Sequence, residues 1–312
     1  MKLISFVIPC YRSELTIERV VNEINETMET MEGYSHEIIL VNDCSPDRTI
    51  AVIKELVRNS KNITGIDFAK NFGQHSALMA GLRETKGDYV ICLDDDGQTP
   101  ANEVGKLIGA LDEGADAVYA RYAHKKHSLF RNFGTFMNEK MAQHLLGKPK
   151  DLFVSSYFGV KRFVVEDMIK YENAYPYVIG LVLRATRKIV NVDVNHRSRE
   201  IGSSGYTFSK LMNLWINGFT AFSVKPLRIA TCMGMFFAFA GFLYGLYTII
   251  KYFIIDVPIG FSSLMSVMVF MGGIVMLILG MIGEYIGRMY ISMNNSPQYV
   301  IREKIEAEEK TE

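Results

Sequence analysis

Asp94, Asp95 and Asp96 stand side by side, followed by Gly97 and Gln98. Three adjacent carboxylates repel one another, so concentrating them at one point is costly unless a cation or a strongly basic ligand is present. A hard divalent ion with oxygen ligands meets that need, and Mg2+ or Mn2+ is the expected cofactor. Alternate residues of an extended segment point the same way, which would put Asp94, Asp96 and Gln98 on one face as metal ligands and turn Asp95 away. A solvated acidic turn is the competing account of the same residues. Position favours the ion, because the apolar run YVICLD leads directly into the carboxylates.

Two further polar clusters follow apolar runs. The first is Pro9-Cys10-Tyr11-Arg12-Ser13-Glu14, and the second is Asn42-Asp43-Cys44-Ser45-Pro46-Asp47-Arg48-Thr49. Tyr11 can stack on a base, Asp43 can accept hydrogen bonds from a base edge, and Glu14 is within reach of ribose or of nearby backbone. Taken alone, Asp43 and Asp47 also fit a turn residue and a helix cap. No Gly-x-Gly-x-x-Gly or phosphate-loop motif occurs, which argues against dinucleotide redox chemistry and against simple ATP hydrolysis. His75 is read as a helix-start or surface residue rather than an acid-base group, and His124, His127 and His144 lack ligand spacing. Cys10, Cys44, Cys92 and Cys232 are widely spaced and are expected to be buried free thiols in a reducing compartment.

The elements that would position these clusters alternate. LISFVIP (3–9), EIILVN (37–42), ITGIDF (63–68), YVICLD (89–94) and DAVYA (116–120) are short apolar runs rich in β-branched residues, expected as strands buried on both faces. Between them lie helical patterns carried by Leu15, Val20, Val21 and Ile24, by Ile50, Ile53 and Val57, and by Val104, Leu107, Ile108 and Leu111, with Pro100 at a helix start. The fold class is α/β: a mostly parallel sheet with right-handed crossovers, binding ligands outside the carboxyl ends of its strands.

Of the 312 residues 49% are hydrophobic, but nearly every charge lies before Arg228 or after Gly283. Ile229 to Ile250 is a charge-free run long enough to cross the ~30 Å hydrocarbon layer as a helix, and Val257 to Gly283 is a second. Lys225, Arg228, Arg288, Arg302 and Lys304 flank the pair while the connecting loop carries only Lys251, which predicts a two-span hairpin with both termini cytoplasmic. The first residues lack the long apolar core and cleavage site of a signal peptide, so the first domain is expected to stay in the cytoplasm. Thr207 to Arg228 reads as an interfacial amphipathic helix, with packing against the soluble domain as the competing account. The glycines Gly241, Gly245, Gly272, Gly273 and Gly280 would allow close helix approach and leave a homo-oligomer open. The expected organisation is therefore 1–206 catalytic, 207–228 juxtamembrane, 229–290 transmembrane and 291–312 a cytoplasmic tail whose end, EKIEAEEKTE (303–312), is solvated or frayed. Lys and Arg (34) balance Asp and Glu (34), which excludes the basic excess expected of a nucleic-acid binder.

FVIPCYRSE, EIILVNDCSPDRT, KNFGQHSALMAGL, GDYVICLDDDGQTP and GSSGYTFSKLMNLWINGFTAFSVKPLR together resemble family 2 glycosyltransferases of the dolichyl-phosphate mannose synthase and bactoprenol glucosyltransferase type. The resemblance covers nearly the whole chain. It implies a GT-A (Rossmann-like) domain in which Pro9, Tyr11, Glu14, Asp43, Asp94 and Asp95 bind the nucleotide-sugar, and Asp94, Asp96 and Gln98 match a metal-binding D-x-D-x-Q pattern. Arg121 and Arg131 match basic positions around donor and acceptor phosphates, and with Asp96 they form the implied catalytic set. Arg199, Ser204 and Tyr206, together with Arg131, match positions for the lipid phosphate. Three departures stand out: Gly205 where a lysine is frequent, Cys44 where a glycine is usual, and Ser155-Ser156-Tyr157-Phe158 in place of a commoner D-F-R-L.

The implied reaction moves a sugar from a UDP- or GDP-linked donor to a polyprenyl phosphate, undecaprenyl or dolichyl, at the bacterial inner or plasma membrane, giving a lipid-linked sugar for cell-envelope glycan. A terminal lipid phosphate, with a second pKa of ~6, is already a nucleophile near neutral pH, so attack on the anomeric carbon with inversion needs no strong base. A transferase with a polysaccharide acceptor and a non-catalytic nucleotide-binding scaffold are the alternatives.

Overall fold

The structure, a computed structural model, describes residues 1–122, 148–195, 260–294 and 296–307, with scattered positions between 232 and 254. The chain divides into one unit of Met1–Leu211 with Asn295–Glu312, and a second of Met212–Asn294.

The first unit is built on an eight-stranded sheet. Its strands are β1 (Lys2–Cys10), β2 (Tyr34–Asn42), β3 (Ile63–Phe68), β4 (Tyr89–Cys92), β5 (Ala117–Tyr122), β6 (Phe158–Lys161), β7 (Ile189–Val194) and β8 (Ile301–Ile305), in the order β7-β5-β6-β4-β1-β2-β3-β8. Pairing is parallel for β1 with β2 and β4, for β2 with β3, and for β5 with β7. β6 runs antiparallel to both β4 and β5, and β8 antiparallel to β3. The five expected strands are all present, and the expected parallel character holds for the sheet's centre.

Helices α1 (Ile17–Glu29), α2 (Thr49–Asn59), α3 (Gln74–Glu84), α4 (Val104–Asp112), α5 (Arg162–Met168) and α6 (Val178–Ala185) cover the sheet. Alternation along β1 divides its side chains between two cores. Ile4, Phe6 and Ile8 join Ile17, Val21 and Ile24 of α1, Ile53 of α2 and Leu107 of α4. On the opposite face Ile39, Val41, Ile66 and Phe68 pack with Ala77 and Ala80 of α3. Gly81 of α3 lies against Val7 of β1 so closely that a Cβ there would overlap the valine. Leu15, expected in the apolar stripe of α1, is 71% exposed, because it precedes the helix and the stripe begins at Ile17.

Strand order reverses at β1: β2 and β3 extend to one side while β4 lies on the other. The gap between the loops after β1 and β4 is thus the topological switch point, where α/β sheets bind ligands.

In the second unit α7 (Phe261–Met293) runs for 33 residues. Phe270–Gly287 within it is the one stretch among the described residues long and apolar enough to cross a membrane, and none of its described side chains is buried. That exposure is unlike the core helix of a soluble protein and supports a membrane-associated chain. The first expected span, 229–250, falls largely outside the described residues, although every described position from 232 to 254 is helical. The interfacial helix expected at 207–228 lies outside them entirely.

Part of the expected solvated tail is corrected. Ile301–Ile305 is an edge strand of the catalytic sheet, with Ile305 packed on Gly65. The three charged residues between Ile301 and Ile305 suit an exposed edge strand, and the same charge disguised it as a tail.

Candidate active site

The acidic turn follows β4 directly, and its three carboxylates are each half-buried. Each is engaged differently. Asp94 accepts from Gln74 Nε2 at 2.8 Å and from the Ser156 hydroxyl. Asp95 accepts from the Tyr11 backbone N–H at 2.9 Å and from the Ser13 hydroxyl. Asp96 accepts from the Gln98 N–H at 3.0 Å, closing a turn on itself. Gly97 sits in that turn at φ +71°, and a Cβ added there would lie 2.5 Å from Arg19 Nη2 of α1. Asp95 and Asp96 lie in a turn rather than in the extended segment that alternation assumes, and the contacts Asp95 finds tie the β4 loop to the β1 loop.

Burial pushes the Asp94 carboxyl up to about 6, helped by Asp95 and Asp96 and opposed by the Ser156 and Gln74 hydrogen bonds. Burial also raises Asp95 against its donors Ser13 and Tyr11. The Tyr122 phenol at the end of β5 is raised by burial and then by the negative charge of Asp94 and Asp96, which places it beside them. These are the electrostatics of a site that gains by receiving a cation. Among the described residues no three His, Cys, Asp or Glu side chains form a group that could hold a metal by themselves. Hard oxygen donors from two aspartates suit Mg2+ or Mn2+ all the same, since such ions commonly take one or two carboxylates and fill their remaining positions with substrate phosphate and water.

The β1 and β2 loops are knitted together beside the turn. Arg12 N–H donates to Ser45 Oγ at 2.8 Å, Ser13 N–H to Thr49 Oγ1 at 2.9 Å, and Asp43 N–H to the Cys10 carbonyl at 3.0 Å. Glu14 takes the second of its two expected roles, accepting from the Arg48 N–H at 2.9 Å where α2 begins. Asp47 accepts from the Thr49 N–H and hydroxyl at the start of α2, one residue before the N-cap position, which Arg48 holds. Arg12 and Cys44 hold left-handed backbone at φ 60° and 51°, a conformation costing a residue with a Cβ ~1–2 kcal/mol. A glycine is the comfortable residue at such a position, so Cys44 carries the strain that its place in the motif foreshadowed.

Asp43 is buried, and its two carboxylate oxygens accept from the Phe72 and Gly73 N–H groups at 2.7 and 2.8 Å. Burial raises its carboxyl against those two bonds. It therefore shapes the Asn71-Phe72-Gly73 loop. Tyr11 is 44% exposed with Arg12 over its ring, open to a stacking partner, while Pro9 is buried within β1.

The structure thus gathers Tyr11, Glu14, Asp43, Asp94, Asp95, Asp96 and Gln98 on the loops at one end of the sheet, with Pro9 among the last residues of β1 before them. Arg121 is at the end of β5 but its guanidinium forms a two-bond pair with Asp193 of β7, at 2.7 and 2.9 Å. Arg131, Arg199, Ser204 and Tyr206 lie outside the described residues. Gln74, Ser156 and Tyr122 were missed. The first two were legible as parts of KNFGQHSA and of the departure at 155–158, but neither carries a chemistry that singles it out without the fold. His75 is the second residue of α3, in the helix start as expected, its ring edge-on to Tyr177. Cys10 and Cys92 are buried free thiols, whereas Cys44 is half-buried and Cys232 exposed, so the expectation of burial fails for those two.

A model of the GtrB C-terminal hairpin matches residues 225–289. The undecaprenyl-phosphate 4-deoxy-4-formamido-L-arabinose transferase of Photorhabdus laumondii is 31% identical over 100% of this chain and 96% of its own. The uncharacterized glycosyltransferase YkcC of Bacillus subtilis is 32% identical over 98% and 95%. Among solved structures, glucosyl-3-phosphoglycerate synthase of Mycobacterium tuberculosis, in complex with Mn2+, UDP-glucose and phosphoglyceric acid, superposes with a TM-score of 0.51 at 20% identity, covering 69% of this chain and 78% of that one. At that identity the likeness speaks for a shared GT-A fold alone. With the glycosyl transferase family 2 model matching residues 5–169, the stretch that carries every loop of the acidic crevice, the chain belongs to glycosyl transferase family 2.

Proposed function

We propose that this glycosyltransferase moves a sugar from a nucleotide-sugar to a polyprenyl phosphate at a membrane surface. The observation that carries the reading is the acidic turn at the switch point of a chain whose full-length relatives include transferases named for undecaprenyl phosphate. The apolar helix α7 supports a lipid acceptor, since it keeps the chain at the bilayer where such a phosphate resides. The finer topology belongs to the proposal: two spans at 229–290, with both termini and the catalytic unit on the cytoplasmic face.

In this reading Tyr11 stacks on the base, and the β1 and β2 loops hold the nucleoside. Asp94 and Asp96, with Gln98 beside them, hold Mg2+ or Mn2+, which when bound neutralises charge on the departing nucleoside diphosphate. Asp95 sets the geometry of the turn through Tyr11 and Ser13. Arg121, Arg131 and Arg199 screen the meeting of two polyanions, with Ser204 and Tyr206 adding donors to the lipid phosphate. The acceptor phosphate oxygen attacks the anomeric carbon directly, the bond to the nucleoside diphosphate breaks on the opposite face, and configuration inverts. No protein base is required, because the phosphate monoester is largely ionised above its second pKa of ~6.

The test is incubation of the purified full chain with radiolabelled UDP- and GDP-sugars, Mn2+ and undecaprenyl phosphate in detergent. Label passing into the organic phase with one donor supports the proposal. Donor hydrolysis without lipid labelling points to another acceptor, and failure of every donor to react overturns the assignment.

A further inference from the structure

The chain returns from its second unit to the catalytic sheet, and that return passes beside the donor loops. Tyr299 stacks on Phe68 with ring centroids 5.2 Å apart and receives a hydrogen bond from Arg83 Nη1 at 2.8 Å. The Ala69 N–H then donates to the Val300 carbonyl at 2.9 Å, and β8 begins. Its register against β3 is broken: Asp67 faces Glu303 and Phe68 faces Ile301, leaving Arg302 unopposed in a bulge. A bulge re-aims the side chain it carries, and this one lies at the carboxyl end of β3, level with the loops of the active site.

The side chain so aimed meets two acceptors. Arg302 Nη1 donates to Asp67 Oδ2 and Nη2 to the Ala69 carbonyl, both at 3.1 Å. Asp67 is buried, and its other oxygen accepts from Asn42 Nδ2 at 2.7 Å. Asn42, also buried and paired with Asp67 across β2 and β3, accepts from the Ser45 N–H at 3.2 Å. Ser45 is the residue that holds the Arg12 N–H. One guanidinium thus braces both loops that hold the nucleoside, the β2 loop through Asp67 and Asn42 and the β1 loop through Ser45 and the Arg12 N–H, while its other branch holds the start of the β3 loop at Ala69. Asp67 alone would be a buried carboxylate with a single neutral donor, an arrangement that a charge-assisted partner corrects.

We propose that Arg302 is a positioning residue for donor binding: the strand returning from the membrane unit sets the two nucleotide loops through Arg302, Asp67 and Asn42. This rests on the nucleotide-sugar reading of that crevice. The relay touches no reacting atom, so it acts on the affinity for the nucleotide rather than on the chemical step.

The test compares R302A, R302K and K304A in the full-length chain in detergent. Equilibrium binding of UDP and GDP with Mn2+, thermal unfolding, and the split of donor KM against kcat are measured. Lys304 is the control, because it holds Glu84 and Glu306 from the same strand without touching the relay. R302A should weaken nucleoside diphosphate binding and raise donor KM about five- to ten-fold, with kcat within about two-fold. R302K, which keeps the charge opposite Asp67 but lacks the fork that also reaches Ala69, should fall between. K304A should bind as the wild type does, even where it lowers the unfolding temperature. Unchanged binding by R302A, or an equal loss in R302A and K304A, overturns the relay and leaves β8 a tether only. A wild type that binds neither diphosphate overturns the nucleotide reading itself, and the relay with it.

Discussion

Gln74 donates its side-chain amide to Asp94 Oδ1 across 2.8 Å, so the first residue of α3 reaches the acidic turn after β4 although β1 and β2 separate their strands in the sheet. With Ser156 on its other oxygen, Asp94 is held in place before any ion arrives. Such preorganisation costs stability, since a buried carboxylate beside two others is a concentrated charge.

Asp94→Asn and Asp96→Asn therefore separate function from folding. Each removes one negative charge from the turn, so the unfolding temperature should stay level or rise. Transfer of labelled sugar to lipid should fall at least about 10²-fold, the loss that follows removal of one group stabilising developing charge. Turnover within a few-fold of the wild type in both variants would remove the acidic turn from the chemistry.

Gly97→Ala tests the shape of the same turn. A side chain at φ +71° is strained by ~1–2 kcal/mol, and the added Cβ must displace the tip of Arg19. Because that neighbour is the end of a flexible side chain, the fold should survive with a modest drop in unfolding temperature. The turn bearing Asp96 and Gln98 should open, and the Mn2+ concentration for half-maximal transfer should rise several-fold. An unchanged Mn2+ dependence would show that the turn tolerates a second backbone conformation.

Much of this site was legible before the fold was known, and the physical reasons differ by element. β1 to β5 announce themselves because strands buried on both faces must be continuous apolar runs. Phe158–Lys161 does not, being four residues long with Gly159 in the middle, where a Cβ would press on Ile91 and Val118. β7 and β8 are sheet edges that mix polar and charged residues with apolar ones, and such composition resembles a loop or tail. The three aspartates stood out through their mutual repulsion. Gln74, Ser156 and Tyr122 owe their place to loops that converge only in three dimensions.

His75 gives the acid limb of stability a sign. Its ring is packed against Tyr177 with Nδ1 shut off from solvent and without a hydrogen-bond partner, and burial lowers its pKa to about 4. The unfolded chain, with an ordinary histidine near 6.5, binds the proton first. Stability from this group is thus full above about pH 6.5 and is lost as pH falls toward 4, by at most about 3 kcal/mol. His75→Gln should flatten that part of the stability curve, measured by thermal unfolding from pH 7 to pH 4. An equal slope in both proteins would mean that the imidazole reaches water in the folded state.

Arg121 poses the sharpest choice between two roles. Its pairing with Asp193 follows from register, since the two residues face each other across the parallel β5 and β7 strands, and both side chains are exposed. An exposed pair of this kind contributes little to folding, so neither Arg121→Ala nor Asp193→Asn should shift the unfolding temperature appreciably. If the guanidinium screens phosphate during transfer, Asp193→Asn frees it and turnover holds or rises, whereas Arg121→Ala loses at least about ten-fold. Arg121→Lys should recover only part of that loss, because an ammonium offers a point charge without the planar fork. Small and equal effects in all three variants would assign the pair to the sheet edge, and the phosphates would then fall to arginines elsewhere in the chain.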